Sequence, residues 1–313
     1  MKFPYLKLFL AAVIWGGALV AGRVISAELP PFTITLVRFT LVSFFLLPVL
    51  CLQNRSLPKL SGKSFLLLAV ISVSGVVLFN YLMFSGLRTV TAVRGSVYIA
   101  FIPMVVALVS GLFFKESLTV PKVLGFLLAF FGAVVTITNG DPAALFSQAP
   151  AAGDLFFLGC VFAWTVYSLA TKYALQYLSP LVILTYASVL GSLLLVPPAL
   201  AEKSLRLLVS QPPMVWFCLV YVSLGAAGIA YLWYYQGVKA VGVSRATIFI
   251  NLEPPAAIVL GILLLGESLS PSLFLGVILV LSGLFLTGYR SSRSASLSRS
   301  LTSVSSDSKS SDS

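Results

Sequence analysis

A chain of 313 residues with no histidine and only nine acidic side chains has few groups for chemistry, so each charge inside an apolar run carries weight. Glu253, followed by Pro254 and Pro255, lies about halfway along the apolar stretch 242–265. A carboxylate at that depth cannot reach water along a helix surface, and such residues face a cavity and a partner in most membrane proteins. The prolines remove two backbone donors and free nearby carbonyls, which is tolerated at membrane depth where backbone lines a cavity or is buried in protein. Glu253 is therefore expected to bind a cationic solute group or carry a coupling proton. The alternative is a structural pair with an arginine. Arg38, about two turns into the stretch 33–52, is the second charge of this kind. It could neutralise Glu253 or receive a solute carboxylate, unless it snorkels to the outer surface.

Arg245, Phe249 and Glu253 are spaced i, i+4, i+8 and share one helix face. Arg94 and Arg245 are candidate gate charges at opposite ends of a pathway, with snorkelling as the competing reading. Aromatic and amide side chains that could wall a cavity include Trp15, Asn80, Tyr98, Trp164, Tyr167, Trp233 and Tyr234. A wall of that kind suits an organic solute better than a bare ion. Absent histidine rules out His triads and His metal sites. Cys51, Cys160 and Cys218 lack metal-site spacing, and no GxxxxGK[ST] loop is present. The expectation is no enzyme, no metal and no cofactor.

The elements that hold these groups follow from composition. Hydrophobic residues make up 59% of the chain and charged residues 9%, with a mean hydropathy of +1.04. A soluble domain carries about 25% charged residues. Ten apolar spans are expected near 5–25, 33–52, 64–86, 91–114, 121–138, 153–174, 180–200, 213–236, 242–265 and 271–289, each long enough for a transmembrane helix. With the N-terminus inside, fourteen Lys and Arg fall on inner loops and tails, among them Lys7, Lys63, Lys172 and Arg290. Five fall on outer ends: Arg23, Arg88, Arg94, Lys203 and Arg206. Positive charge favours the inner side, so both termini are expected in the cytoplasm of a cytoplasmic membrane. The basic excess is then a topology signal, and no nucleic-acid partner is expected. The segment after Lys2 and Lys7 could be a signal peptide, but it has a counterpart later in the chain and is expected to be retained.

Shifting the sequence by 151 residues lays "PMVVALVSGLFFKESLTVPKVLGFLLAFFGAVVT" on "PPAAIVLGILLLGESLSPSLFLGVILVLSGLFLT" without a gap. Pro103 meets Pro254, Glu116 meets Glu267, and Arg94 meets Arg245. A shift of 149 aligns the front halves, Trp15 with Trp164 and Pro31 with Pro180. Pro103 is thereby a candidate helix break alongside Pro254 and Pro255. Five spans per unit is an odd number, so the second unit enters the membrane from the opposite side. Inverted repeats are common in secondary transporters, with the solute site between the halves.

The Trp15–Gly17 run "IWGG" and the long proline-to-"GESL" pattern resemble the EamA-type permeases of the drug/metabolite transporter superfamily, in their ten-helix, two-repeat form. The first copy departs with Lys115 before Glu116. The resemblance covers about residues 5–290. It implies an all-α basket around a central cavity, with the fifth and tenth helices peripheral. It also puts Trp15, Asn80, Tyr98 and Trp164 on cavity-lining spans. The expected organisation is 1–138 first repeat, 139–152 external linker, 153–290 second repeat, and 291–313 a disordered Ser-rich cytoplasmic tail. The function expected is alternating-access permeation of a small organic solute, an amino acid or a similar compound, by proton coupling or solute exchange. Efflux of cationic or aromatic drugs, movement of a nucleotide-like metabolite, and a non-transporting receptor or assembly factor are the alternatives. Glu116 and Glu267 are expected to close turns, with Thr119 or Ser270 capping the next helix. Gly125, Gly276 and Gly283 would allow close helix approach within the chain or in a homodimer. Membrane lipid is the remaining expected partner.

Overall fold

Proline at a helix start loses nothing, because the first turn has no acceptor for its missing N–H. Prolines hold that place repeatedly in this chain. The structure, a computed structural model, describes residues 3–54, 60–114, 120–141, 151–241, 249, 252–283 and 286. Its helices are α1 (Pro4–Glu28), α2 (Pro31–Asn54), α3 (Gly62–Leu87), α4 (Ala92–Phe114), α5 (Val120–Ile137), α6 (Ala152–Ala174), α7 (Pro180–Ala201), α8 (Pro213–Val241), α9 (Glu253–Leu265) and α10 (Pro271–Gly283). No strand occurs among the described residues. Helices α1, α2, α3, α6, α7 and α8 are long and apolar enough to cross a membrane, and α9 and α10 are shorter apolar helices. Phe44, Phe65, Phe162, Leu193, Phe217 and Leu263 stand exposed on the outside of the bundle. An apolar exterior of this kind needs lipid around it.

Side chains finish the helix ends. Ser61, Ser179 and Ser270 accept the backbone N–H groups of Ser64, Val182 and Leu273. Two carboxylates cap from a distance. Glu202, just past α7, accepts from the Phe32 and Thr33 amides at 3.0 and 2.8 Å and so closes the start of α2. Glu267, past α9, accepts from the Ala92 and Val93 amides at 2.8 Å each and closes the start of α4. A negative charge is favoured at both places by the helix dipole. Glu267 thus joins the two repeats rather than only closing its own turn. Its repeat mate Glu116, with Thr119, lies outside the described residues.

The first helix of each half nests in the other half. Helix α1 packs on α8 and α9, and its repeat mate α6 packs on α3 and α4, while α2 meets α7 and α4 meets α9. Contacts along the helices give their directions. Lys63, at the start of α3, donates to Tyr173 and Tyr177 at the end of α6. At the other end of α3, Gly86 lies against Phe157 and Gly153 at the start of α6. Arg23, near the end of α1, donates to the Leu87 carbonyl at that same level. So α1 ends where α6 begins, and the two halves run oppositely.

Glycines set one close approach between helices. A Cβ on Gly132 would lie 2.8 Å from the Gly276 carbonyl oxygen, and one on Gly276 would lie 2.9 Å from that of Gly132. The fifth and tenth helices therefore touch each other through Gly276 inside one chain.

Both third helices widen in the middle. Residues Ser72–Leu78 of α3 and Tyr221–Ala230 of α8 form π turns with i→i+5 hydrogen bonds. Such segments are rare and occur frequently at functional sites. Helix α4 runs through Pro103 to Phe114. Pro103 thus stands inside an assigned helix, where a proline removes one backbone hydrogen bond.

Candidate functional site

A cavity lies where α2, α3, α6, α7 and α8 converge, beside the two π segments. Arg38 of α2 reaches into it and is only 7% exposed. Its Nη1 donates to Asn80 Oδ1 at 2.6 Å. The Asn80 amide Nδ2 in turn donates to the carbonyls of Gly75 and Val76 at 2.9 Å each. Those carbonyls belong to the π turn, so one amide ties the widened backbone to the buried cation. Gly75 is required beside this clamp, since a Cβ there would run into the Tyr167 ring. The Arg38 guanidinium carbon stands 5.5 and 5.9 Å from the ring centroids of Phe39 and Phe84, contacts in which the ring faces favour a cation. Its Nε has no hydrogen-bond partner among the described residues.

Aromatic rings make the rest of the wall. Trp164 packs on Phe79 and Tyr167 with centroids 4.7 and 4.9 Å apart. Tyr231 of α8 lies opposite, within electrostatic range of Arg38, Tyr167 and Glu253. Ser188 of α7 also lines the space, its hydroxyl donating to the Leu184 carbonyl at 2.7 Å. The free volume is about 30 Å³. That suffices for a water molecule or two and not for an amino acid.

Glu253 occupies the first turn of α9 with Pro254 and Pro255. The helix starts there, and the prolines sit where their missing donors are not used. No described residue makes an ion pair or hydrogen bond with the Glu253 carboxylate. The "IWGG" run explains how α9 comes so close to α1. A Cβ on Gly16 would stand 2.7 Å from the Glu253 carbonyl oxygen and 2.7 Å from Ala256 Cβ. Trp15 donates its indole N–H to the Ala226 carbonyl at 3.0 Å, inside the π segment of α8. Its ring meets Tyr231 and Tyr234 at 5.1 and 5.4 Å. Each widened helix thus has backbone oxygen held by a side chain of the first half: the Gly75 and Val76 carbonyls of α3 by Asn80, and the Ala226 carbonyl of α8 by Trp15.

Among the candidate residues, the structure brings Arg38, Asn80 and Trp164 to one cavity, with Trp15 behind Tyr231. It places Tyr98 elsewhere. Tyr98 is fully buried, stacks on Phe157 at 5.8 Å, and donates to Asp154 Oδ1 at 2.8 Å. Arg94 belongs to the same cluster. Its Nε and Nη2 donate to the two Asp154 oxygens at 2.8 and 2.7 Å, and Nη1 donates to Asn139 Oδ1 at 3.2 Å. Asp154 is 0% exposed. The Arg94 charge is therefore compensated by a buried carboxylate rather than snorkelling. Gln236 accepts from Lys7 Nζ at 2.7 Å, at the far end of α8. Arg245 and the Pro103 side chain lie outside the described residues, as does the tail from 291. Sequence reasoning did not single out Tyr231, Phe79, Ser188 or Asp154.

Comparison with known proteins agrees with this architecture. The model of the EamA-like transporter family matches residues 2–138 and 151–289. The chain is 31% identical over 287 residues to an uncharacterized transporter of Archaeoglobus fulgidus, covering 90% of this chain and 96% of that protein. It is 28% identical over 290 residues to the uncharacterized transporter YetK of Bacillus subtilis, covering 90% and 86%. A probable terminal-alkyne amino-acid exporter of Streptantibioticus cattleyicolor is 25% identical over 285 residues, covering 90% and 92%. One solved crystal structure superposes with a TM-score of 0.61 at 20% identity, over 94% of this chain and 99% of that one. That likeness concerns the fold alone.

Proposed function

The chain belongs to the EamA-like transporter family, and from that premise we propose that it moves an amino acid or amino-acid-like metabolite across the cytoplasmic membrane by alternating access. It is a multi-pass membrane transporter. The observation that carries the finer reading is that Arg38 and Glu253, a guanidinium and a carboxyl group with no described ion-pair partner, both lie within electrostatic range of Tyr231. A zwitterion offers each of them a partner at once. The aromatic wall of Trp164, Tyr167 and Phe79 suits the carbon skeleton of an organic solute. The name of the Streptantibioticus relative, a probable amino-acid exporter, supports the same class.

In this reading both termini are cytoplasmic, as the excess of Lys and Arg on that side favours. The cluster of Arg94, Asp154 and Tyr98 closes the outer end of the pathway, and Glu253 carries a proton or holds the solute amine. Proteoliposome flux tests the proposal. Purified protein should catalyse counterflow of at least one amino acid from a broad panel, and movement of cationic drugs alone would replace the substrate class. A protein that moves nothing on such a panel while binding a protein partner would be a receptor on a transporter scaffold.

A further inference from the structure

Arg38 has committed one edge of its guanidinium and left another. Nη1 is taken by Asn80 at 2.6 Å. Nε has no partner among the described residues although Arg38 is only 7% exposed, and no described carboxylate pairs with the group. Phe39 and Phe84 offer ring faces but no acceptor. A guanidinium matches a carboxylate through two parallel N–H donors, a geometry that an amide or an ammonium cannot answer. Arg38 lines the cavity together with Trp164, Tyr167 and Tyr231.

We infer that the Nε edge of Arg38 is a carboxylate subsite, in which the solute's carboxylate docks side-on across Nε and Nη2 while Asn80 acts as the positioning residue that fixes the guanidinium plane. The inference rests on the transport reading and adds to it which end of the solute meets which atoms. Asn80 is suited to that task because its Nδ2 is anchored on the Gly75 and Val76 carbonyls of the π turn. The plane of the fork is thereby referred to the backbone of α3 rather than left to a flexible side chain. An anionic solute gains a partner that a neutral or cationic one lacks, so the subsite sets specificity for charge as well as shape.

The test uses full-length protein in nanodiscs and four probes on one skeleton: L-phenylalanine, 3-phenylpropionate, L-phenylalaninamide and phenethylamine. Phenyl phosphate serves as a tetrahedral anion. Binding is read as ligand-induced thermal stabilisation over a concentration series. The two carboxylates should bind at least about tenfold tighter than the amide and the amine, a factor equivalent to about 1.4 kcal/mol. Arg38→Gln should erase that preference while retaining a donor for Asn80, and Arg38→Lys should keep a reduced one because an ammonium lacks the fork. Asn80→Asp would supply a resident carboxylate to Arg38 and should abolish the preference without abolishing amine binding. The assignment fails if wild-type protein binds the amide as well as the acid, if Arg38→Gln leaves the ratio unchanged, or if phenyl phosphate binds tightest. Flux separates the two readings. Transport of a cation that ignores Arg38→Gln would remove the subsite and leave the transporter, whereas carboxylate binding without flux of any solute would remove the transporter alone.

Discussion

The carboxylate of Asp154 is 0% exposed and accepts three hydrogen bonds, from Arg94 Nε at 2.8 Å, Arg94 Nη2 at 2.7 Å and Tyr98 at 2.8 Å. Breaking a buried pair by removing one member costs about 3–5 kcal/mol. The two single substitutions should not cost the same. Asp154→Asn leaves behind Arg94, whose side chain is 18% exposed and which keeps Asn139 as an acceptor, so about 3 kcal/mol is expected. Arg94→Gln strands a fully buried carboxylate and should approach about 5 kcal/mol. With both changes the site is neutral, and the double variant should be more stable than the sum of the singles by about 2 kcal/mol or more. The assay is reversible unfolding of the purified protein in mixed micelles, compared across the four members of the cycle. Additivity within about 0.5 kcal/mol, or a milder effect of Arg94→Gln than of Asp154→Asn, would refute the reasoning.

Gly16→Val should displace α9, because a Cβ there would stand 2.7 Å from backbone and side-chain atoms of that helix. A cost of about 1–3 kcal/mol and loss of transport are expected, whereas Gly62→Ala, with nothing within 4 Å, should change neither. Glu267→Ala removes the acceptor of two amides at the start of α4 and should destabilise by about 1–2 kcal/mol in the same unfolding assay, with Glu267→Gln intermediate. Glu253→Gln should abolish pH-driven uptake in proteoliposomes while counterflow at constant pH persists. Survival of both activities would make the carboxylate structural.

Much of the architecture is legible because it is written twice. The pairing of Pro103 with Pro254 and Glu116 with Glu267 exposes two units of five helices, and the odd number dictates their opposed course. Arg38 and Asn80 are legible for a different reason: strongly polar groups inside apolar spans need an internal explanation, and one hydrogen bond between them supplies it. Tyr231 is hidden by the helix that carries it. The π segment Tyr221–Ala230 precedes it directly, and each i→i+5 turn takes one residue more than an α turn. Counting in steps of 3.6 residues therefore points the following aromatics the wrong way. Nothing in the run "YVSLGAAGIA" announces that widening. Asp154 is hidden by position. It sits beside the polar link and reads as a solvated loop acid, while its partner Arg94 is 60 residues earlier and meets it only after the halves interlock. Tyr98 follows from the same fact, since its hydroxyl is drawn to that acid rather than to the cavity.

The exchange of α1 and α6 between the halves has a consequence for biogenesis. When the fifth helix leaves the ribosome, α1 has not yet met α8 or α9, its principal neighbours, and the α9 atoms that Gly16 packs against are not yet made. The first half can be threaded into the bilayer at that point but cannot yet be locked. Locking waits for the carboxyl-terminal helices, so a chain truncated after α7 would expose an unfinished seam to the quality-control proteases of the membrane, and two separately made halves would have to find each other before either became durable.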